Sequence, residues 1–308
     1  PGTAGNDGSV NAGQTTRQLT GLMTAGTTTN PALYVTSSDP RIGAGGGGND
    51  LGLDTNSGVV SRLSWNGSSW DHVQLVRGLP RSEENHSTNG LDLDPTTNTL
   101  FVMQGGHANK GAPSNNFAGT SEYYLSAAML ALDLTALEAL PVQTDAQGND
   151  YAYDLPTLDD PTRNDALTDP FGGNNGLNMA IPEPGGPVQV HSPGYRNAYD
   201  VVVTESGRLY TSDNGPNTNW GGLPVYRDSG GSLTSTYDPG AGDYCTNELN
   251  EAGSNGHGDP LFFVDGSGFY GGHPAPIRAG PTQAGVYVYE SSGGRWGQTA
   301  LHAFADLL

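Results

Sequence analysis

The chain has 308 residues, 34% of them hydrophobic, enough to bury a sizeable core in one large all-β domain or two smaller ones. Its 32 acidic residues face 12 basic ones, for a net charge of -20 with Lys110 the only lysine, so neither nucleic acid nor an anionic membrane is an expected partner. The single cysteine, Cys245, excludes an intrachain disulfide and a cysteine-rich metal centre, and no run of ~18 apolar residues is present to span a membrane.

Residues 1–16 offer almost nothing to bury and read as a linker or loosely docked tail. The chain opens at Pro1 with no signal-like segment, which reads as a processed end or an excerpt of something longer. From Arg17 the pattern turns β. RQLTGLMTA and ALYVTSS form two strands across a Thr-rich turn, and GVVSRLSW and HVQLVRGL form two more across NGSSWD. Four such strands in antiparallel succession make about one propeller blade.

A second unit begins at Asn89, with GLDLD and TLFVMQGG pairing across PTTN. AAMLALDL follows a polar insertion and is expected as a strand through Leu134 with one helical turn after it, a short helix over 126–140 being the alternative. Residues 143–186 are rich in Asp, Asn, Gly and Pro and read as a long insertion. The third unit runs PVQVHSP, AYDVVVTES, RLYTSDNG, is interrupted by a second insertion at about 216–258, and resumes with PLFFVDGSGFYGG. GVYVYES and GRWGQTALHAF come last.

A strand-like run containing Asp, a polar turn, and then Leu followed by Phe or Tyr recur at 90–103 and 199–212, a loose internal repeat. The expected fold is therefore an all-β propeller of four-stranded antiparallel blades over 17–308. Three blades and the start of a fourth are visible, whereas closed propellers usually need at least four. Further blades from the same polypeptide or a neighbouring subunit are expected, because open sheet edges invite aggregation.

Polar residues collect in the loops between these strands. His86 precedes GLDLD, and a neutral imidazole with a pKa near 6.5 suits general-base work near neutrality; a surface or packing role is the bland alternative. Arg196 could grip a carboxylate or a quinone oxygen with Asn197 donating beside it, or it could pair with Asp200 or Asp213. Asp213-Asn214-Gly215-Pro216-Asn217 is a common turn type whose backbone carbonyls could instead face a calcium ion, which prefers hard oxygen ligands. His107, His191 and His257 lack the spacing of a zinc site. No nucleophile elbow, phosphate-binding loop or dinucleotide motif is present.

The segments RQLTGL, YVTSSDPR, LVRGLPRSEENH, NGLDLDP, FGGNNGLN, GYRNAYDVVV, DNGPN and YGGHPAPIRA carry a family resemblance. The chain is similar to the glucose/sorbosone dehydrogenase family, soluble quinoprotein sugar dehydrogenases on six-bladed propellers, and to its secreted, multidomain bacterial branch. The resemblance implies a secreted or cell-surface protein that oxidises the C1 hydroxyl of an aldose or related sugar with pyrroloquinoline quinone (PQQ) and Ca²⁺. It places His86 as the base, Arg196 and Asn197 on the quinone oxygens, His273 and Arg278 along the cofactor pocket, and the Gly215 and Pro216 carbonyls on calcium.

Two positions depart from the family pattern. Gly90 stands where an arginine follows the catalytic histidine by four residues, and His273 stands where an aromatic residue usually precedes proline. These departures, and a cofactor with three carboxylates in so acidic a chain, favour the alternative of a non-catalytic propeller that binds glycan or protein or serves as a structural module.

Overall fold

The computed structural model describes residues 3–4, 10–11, 13–42, 53–111, 115–118, 120, 122–158, 179–217, 220, 226–227, 233–234, 259–273, 287–290 and 295–298. Alternating apolar and polar residues build the first strands as expected. β1 (Gln18–Gly26), β2 (Pro31–Ser38), β3 (Gly58–Trp65) and β4 (Trp70–Leu79) pair antiparallel in succession.

β5 (Thr88–Asp94), β6 (Thr99–Gln104) and β7 (Ala128–Asp133) begin a second antiparallel sheet. The chain then enters α1 (Leu134–Glu138), as the Ala/Leu pattern predicts. Asp133 caps it, its carboxylate accepting the Ala136 N–H at 2.9 Å.

Two expectations are corrected. Residues 143–186 are not a structureless insertion throughout: β8 (Gln143–Thr144) and β9 (Asp150–Asp154) extend the first sheet to the order β8-β9-β4-β3-β2-β1. β9 runs parallel to β4, with Tyr151 opposite Gln74 and Tyr153 opposite Val76. Its attachment is electrostatic as well, since Arg77 reaches Asp145 at 3.1 Å and Asp154 at 2.7 Å while lying 3.6 Å over the Tyr151 ring.

The other correction concerns β10 (Val188–Pro193), which closes the second sheet instead of opening the third. It pairs with β7, Val188 opposite Leu132 and Val190 opposite Leu130. The free edge of β7 needs a partner, and Val188 adds to the core already built on that side. β11 (Asp200–Val203), β12 (Leu209–Ser212) and β13 (Leu261–Val264) form the third sheet.

The second sheet is buried on both faces. Leu100, Val102, Leu130 and Leu132 pack with Val60, Leu75 and Val76 of the first sheet. Phe101, Met103 and Met129 turn the other way, onto Val201, Leu209 and Val264 of the third. Each such fully buried side chain contributes about 1.5–3 kcal/mol relative to exposure.

The all-β expectation holds. The described sheets are open, and no closed ring of blades is seen among the described residues. Tyr287–Glu290 pairs with Arg295–Gln298 and not with β1 or β2. No described helix is long and apolar enough to cross a membrane.

What positions the functional residues is the stitching of β5 between its neighbours. On one side the Thr20 hydroxyl donates to the Thr88 carbonyl, and that of Thr36 to the Asn89 carbonyl at 2.6 Å. On the other, the Gly90 N–H donates to Tyr199 at 2.9 Å and the Val203 N–H to the Asp92 carboxylate at 2.7 Å.

Candidate functional site

His86 lies in the loop from β4 to β5, and that loop is held by a buried arginine. Arg81 donates to the carbonyls of Asp39 at 3.1 Å, Glu84 at 2.7 Å and Arg41 at 2.8 Å, and also to that of Ser82. Burial lowers its guanidinium to about 10, against the pull of Asp39 and Glu83. The loop closes with the Ser82 N–H on the His86 carbonyl at 2.9 Å and the His86 N–H on the Ser82 hydroxyl at 3.0 Å.

The His86 side chain is 2% exposed. Its Nδ1 lies 2.9 Å from the Gly106 carbonyl. A carbonyl only accepts, so Nδ1 carries the proton and Nε2 keeps its lone pair. Burial first, and then the Arg196 guanidinium, push the imidazole well below its ordinary range, so it is neutral at pH 7. Its ring packs against Phe117 with centroids 4.9 Å apart.

The glycines that end β6 have a steric reason. A Cβ on Gly105 would sit 2.8 Å from the His86 Cβ, and one on Gly106 would sit 2.6 Å from Glu122 Oε1 and 3.0 Å from the Arg196 carbonyl. Only glycine lets these three loops meet.

Arg196 and Asn197 join β10 to β11 and lie beside His86. The Gly106 N–H donates to the Arg196 carbonyl at 2.8 Å. Arg196 Nε donates to Asn109 Oδ1 at 2.9 Å. Asn197 Oδ1 accepts from the Asn89 side chain at 2.8 Å. Asp213, at the end of β12, accepts the peptide N–H groups of Arg196 and Asn197, each at 2.7 Å. Burial raises the Asp213 carboxyl, partly offset by those two N–H groups.

The loop carrying Gly215 and Pro216 is tied to the same cluster. Asn109 Nδ2 donates to the Asn217 carbonyl at 2.9 Å, and Asn109 Oδ1 accepts the Asn217 N–H at 2.8 Å. The Gly215 N–H donates to Asp259 at 3.1 Å. Among the described residues neither the Gly215 nor the Pro216 carbonyl accepts a hydrogen bond. Carbonyl oxygens of this kind suit a calcium ion, though an ion would need further ligands. No group of three or more His, Cys, Asp or Glu side chains that could hold a metal is found among the described residues.

His273 is buried and donates from Nε2 to Glu122 Oε1 at 2.7 Å, so the structure adds it to the cluster through a carboxylate. Arg278 lies outside the described residues, as does the FGGNNGLN stretch.

Sequence reasoning missed Glu122, His107, Asn89 and Asn109 as members of this cluster, and saw Asp213 as an ion-pair partner or part of a calcium-facing turn, not as the acceptor of two peptide N–H groups. Glu122 and Asn109 lie in a polar insertion with no periodic pattern, so nothing local marked them. His107 is fully buried on the Tyr123 ring, centroids 4.2 Å apart, and among the described residues neither of its ring nitrogens has a hydrogen-bond partner.

PQQ carries three carboxylates and calls for cations. Arg196 and Asn197 suit its carbonyl end. At position 90, however, a Cβ would meet the Asp200 side chain and lie 2.7 Å from the Asp200 Cα, so no arginine fits there. The cluster suits one end of that quinone only.

No protein-family model matches this chain, and no curated protein matches it. Among solved structures it is similar to a crystal structure of glucose dehydrogenase, with a TM-score of 0.31 and 16% identity over 66% of this chain and 45% of that one. A second glucose dehydrogenase gives a TM-score of 0.28 and 14% identity over 89% and 65%. The chain thus spans less than two thirds of either structure's length, and likeness at these scores fixes neither fold nor role.

Proposed function

We propose that this chain is a sugar dehydrogenase-like protein in which His86 is the base that takes the proton of a sugar C1 hydroxyl. The observation that carries this reading is the state of His86: neutral, with Nδ1–H committed to a backbone carbonyl and the Nε2 lone pair left as the acceptor. A general base must be deprotonated and fixed in direction before substrate arrives, and this histidine meets both conditions, though its lowered pKa makes it a weaker base than a free imidazole. Arg196 and Asn197, locked by Asp213, would meet negative charge that develops opposite the base. The Gly215 and Pro216 carbonyls would supply calcium ligands. A bound quinone would supply the hydride acceptor.

The second reading, a non-catalytic binder of glycan, draws on Gly90. With Asp200 filling the space beside it, one cation that the family directs at the cofactor has no place.

One experiment separates the two. The full chain is incubated with PQQ and Ca²⁺, then assayed for dye reduction with aldoses alongside quinone and sugar binding by calorimetry. Turnover that falls by about 10²–10⁴-fold in His86→Ala supports the first reading. Sugar binding with no quinone binding at tens of micromolar, unchanged in His86→Ala, overturns it in favour of the second.

A further inference from the structure

We propose that Glu122 is a positioning residue for His86 and acts on it through a single peptide group. The Gly106 carbonyl that receives His86 Nδ1–H and the His107 N–H are the two polar ends of the same planar unit. Glu122 Oε2 holds the N–H end at 2.8 Å, and His86 holds the C=O end at 2.9 Å. The order is carboxylate, peptide, imidazole. It is a carboxylate–histidine pair with one amide inserted between the partners. The inference rests on the reading of His86 as base and deepens it.

The carboxylate is built to stay in place and stay charged. It is fully buried and among the described residues accepts four hydrogen bonds. Besides the His107 N–H, these come from the Ala108 N–H at 3.0 Å, the Ser126 hydroxyl at 2.6 Å and His273 Nε2 at 2.7 Å. Burial works to raise its pKa, but the His273 bond and charge, then the His107 imidazole and the Ser126 bond, outweigh burial and hold it below the usual carboxylate range. A negative charge on the N–H side polarises the peptide and makes the Gly106 oxygen a stronger acceptor. That favours the tautomer with the proton on Nδ1 and leaves Nε2 as the base. Direction is fixed from the other side too, because the Gly106 N–H is bound to the Arg196 carbonyl at 2.8 Å.

The arrangement also accounts for the identity of residue 106. Any side chain there would displace the carboxylate that packs on it, since a Cβ would lie 2.6 Å from Oε1. His107 meets the carboxylate with its backbone N–H; its ring packs tilted against Tyr123.

The test is Glu122→Gln in the full chain with ¹⁵N-labelled histidine, read by long-range ¹H–¹⁵N spectra that report the tautomer of each ring. In the unmodified protein His86 is expected as the neutral Nδ1–H form at pH 7. In Glu122→Gln the ratio of Nε2–H to Nδ1–H forms should rise at least about tenfold, and kcat should fall in proportion to the Nδ1–H fraction that remains, with KM nearly unchanged. A purely structural role would lower the melting temperature and leave the tautomer alone, and that outcome overturns the proposal. The spectra need no activity, so a shifted tautomer in a protein that oxidises no sugar would sink the dehydrogenase reading while supporting the Glu122–His86 link. Should Glu122→Gln fail to fold, neutron crystallography of the unmodified protein decides. A deuteron on His86 Nδ1 directed at Gly106, with Glu122 bare, supports the proposal; a deuteron on Glu122, or on Nε2 alone, overturns it.

Discussion

Asp213 meets Arg196 through the backbone: its Oδ2 accepts the Arg196 peptide N–H at 2.7 Å, and its Oδ1 takes the next N–H, of Asn197, at 2.7 Å. Glu122 repeats the device on the neighbouring loop with the consecutive N–H groups of His107 and Ala108. The two loops are then joined by the Gly106–Arg196 bond. Buried carboxylates here fix backbone that has no strand to hold it.

Removing Asp213 tests that statement. Asp213→Ala leaves two buried N–H groups without their acceptor, at about 1–3 kcal/mol each. The urea midpoint should fall accordingly. Asp213→Asn, which keeps one acceptor oxygen, should lose less.

Gly90 should tolerate no side chain. Gly90→Ala places a methyl against Asp200, 2.7 Å from its Cα, and overpacking of this kind costs about 1–3 kcal/mol. Thermal unfolding should show the loss. Asp200→Gly should restore only part of it, because the Asp200 backbone remains in the way.

Acid should destabilise the protein through His107. Burial lowers its imidazole to about 4, with Glu122 opposing and Arg81 assisting, whereas the unfolded group titrates near 6.5. Between those values the unfolded chain binds more protons, so stability is present above about 6.5 and is lost as pH falls toward 4, by about 3 kcal/mol in all. Glu122, also depressed, contributes in the same direction at lower pH. Urea melts at pH 7, 5.5 and 4.5 should show a smaller slope in His107→Phe; an equal slope would remove His107 as the cause.

Calcium, if the Gly215–Pro216 carbonyls bind it, should raise the melting temperature as any ligand of the folded state does. Asn109 ties that loop to Arg196 with bonds of 2.8–2.9 Å. Asn109→Ala should therefore weaken Ca²⁺ at least about tenfold by calorimetry, a loss of about 1.4 kcal/mol. An unchanged affinity would move any calcium site away from this loop.

Strand positions were legible because apolar patterning is a local signal. TLFVMQ and AMLALD are short, near-continuous apolar runs, as suits strands buried on both faces. Residues 150–154 were overlooked because a five-residue strand inside a Gly/Pro-rich stretch gives too short an alternation, and its place beside β4 depends on Arg77. Val188–Pro193 was legible as a strand but not as the partner of β7, because pairing is decided by which edge is left open.

The same division runs through the candidate site. The sequence by itself determined the all-β class, the acidic composition, and the loops in which His86, Arg196 and Asn197 stand, since turn residues and strand ends are written in neighbouring positions. Tertiary structure alone decided that Glu122 meets His273, 151 positions away, that Asn89 meets Asn197, and that Asp200 fills the space at Gly90. Those contacts are made by loops of separate sheets, and no local periodicity encodes a hydrogen bond formed only when β5 is stitched between its neighbours.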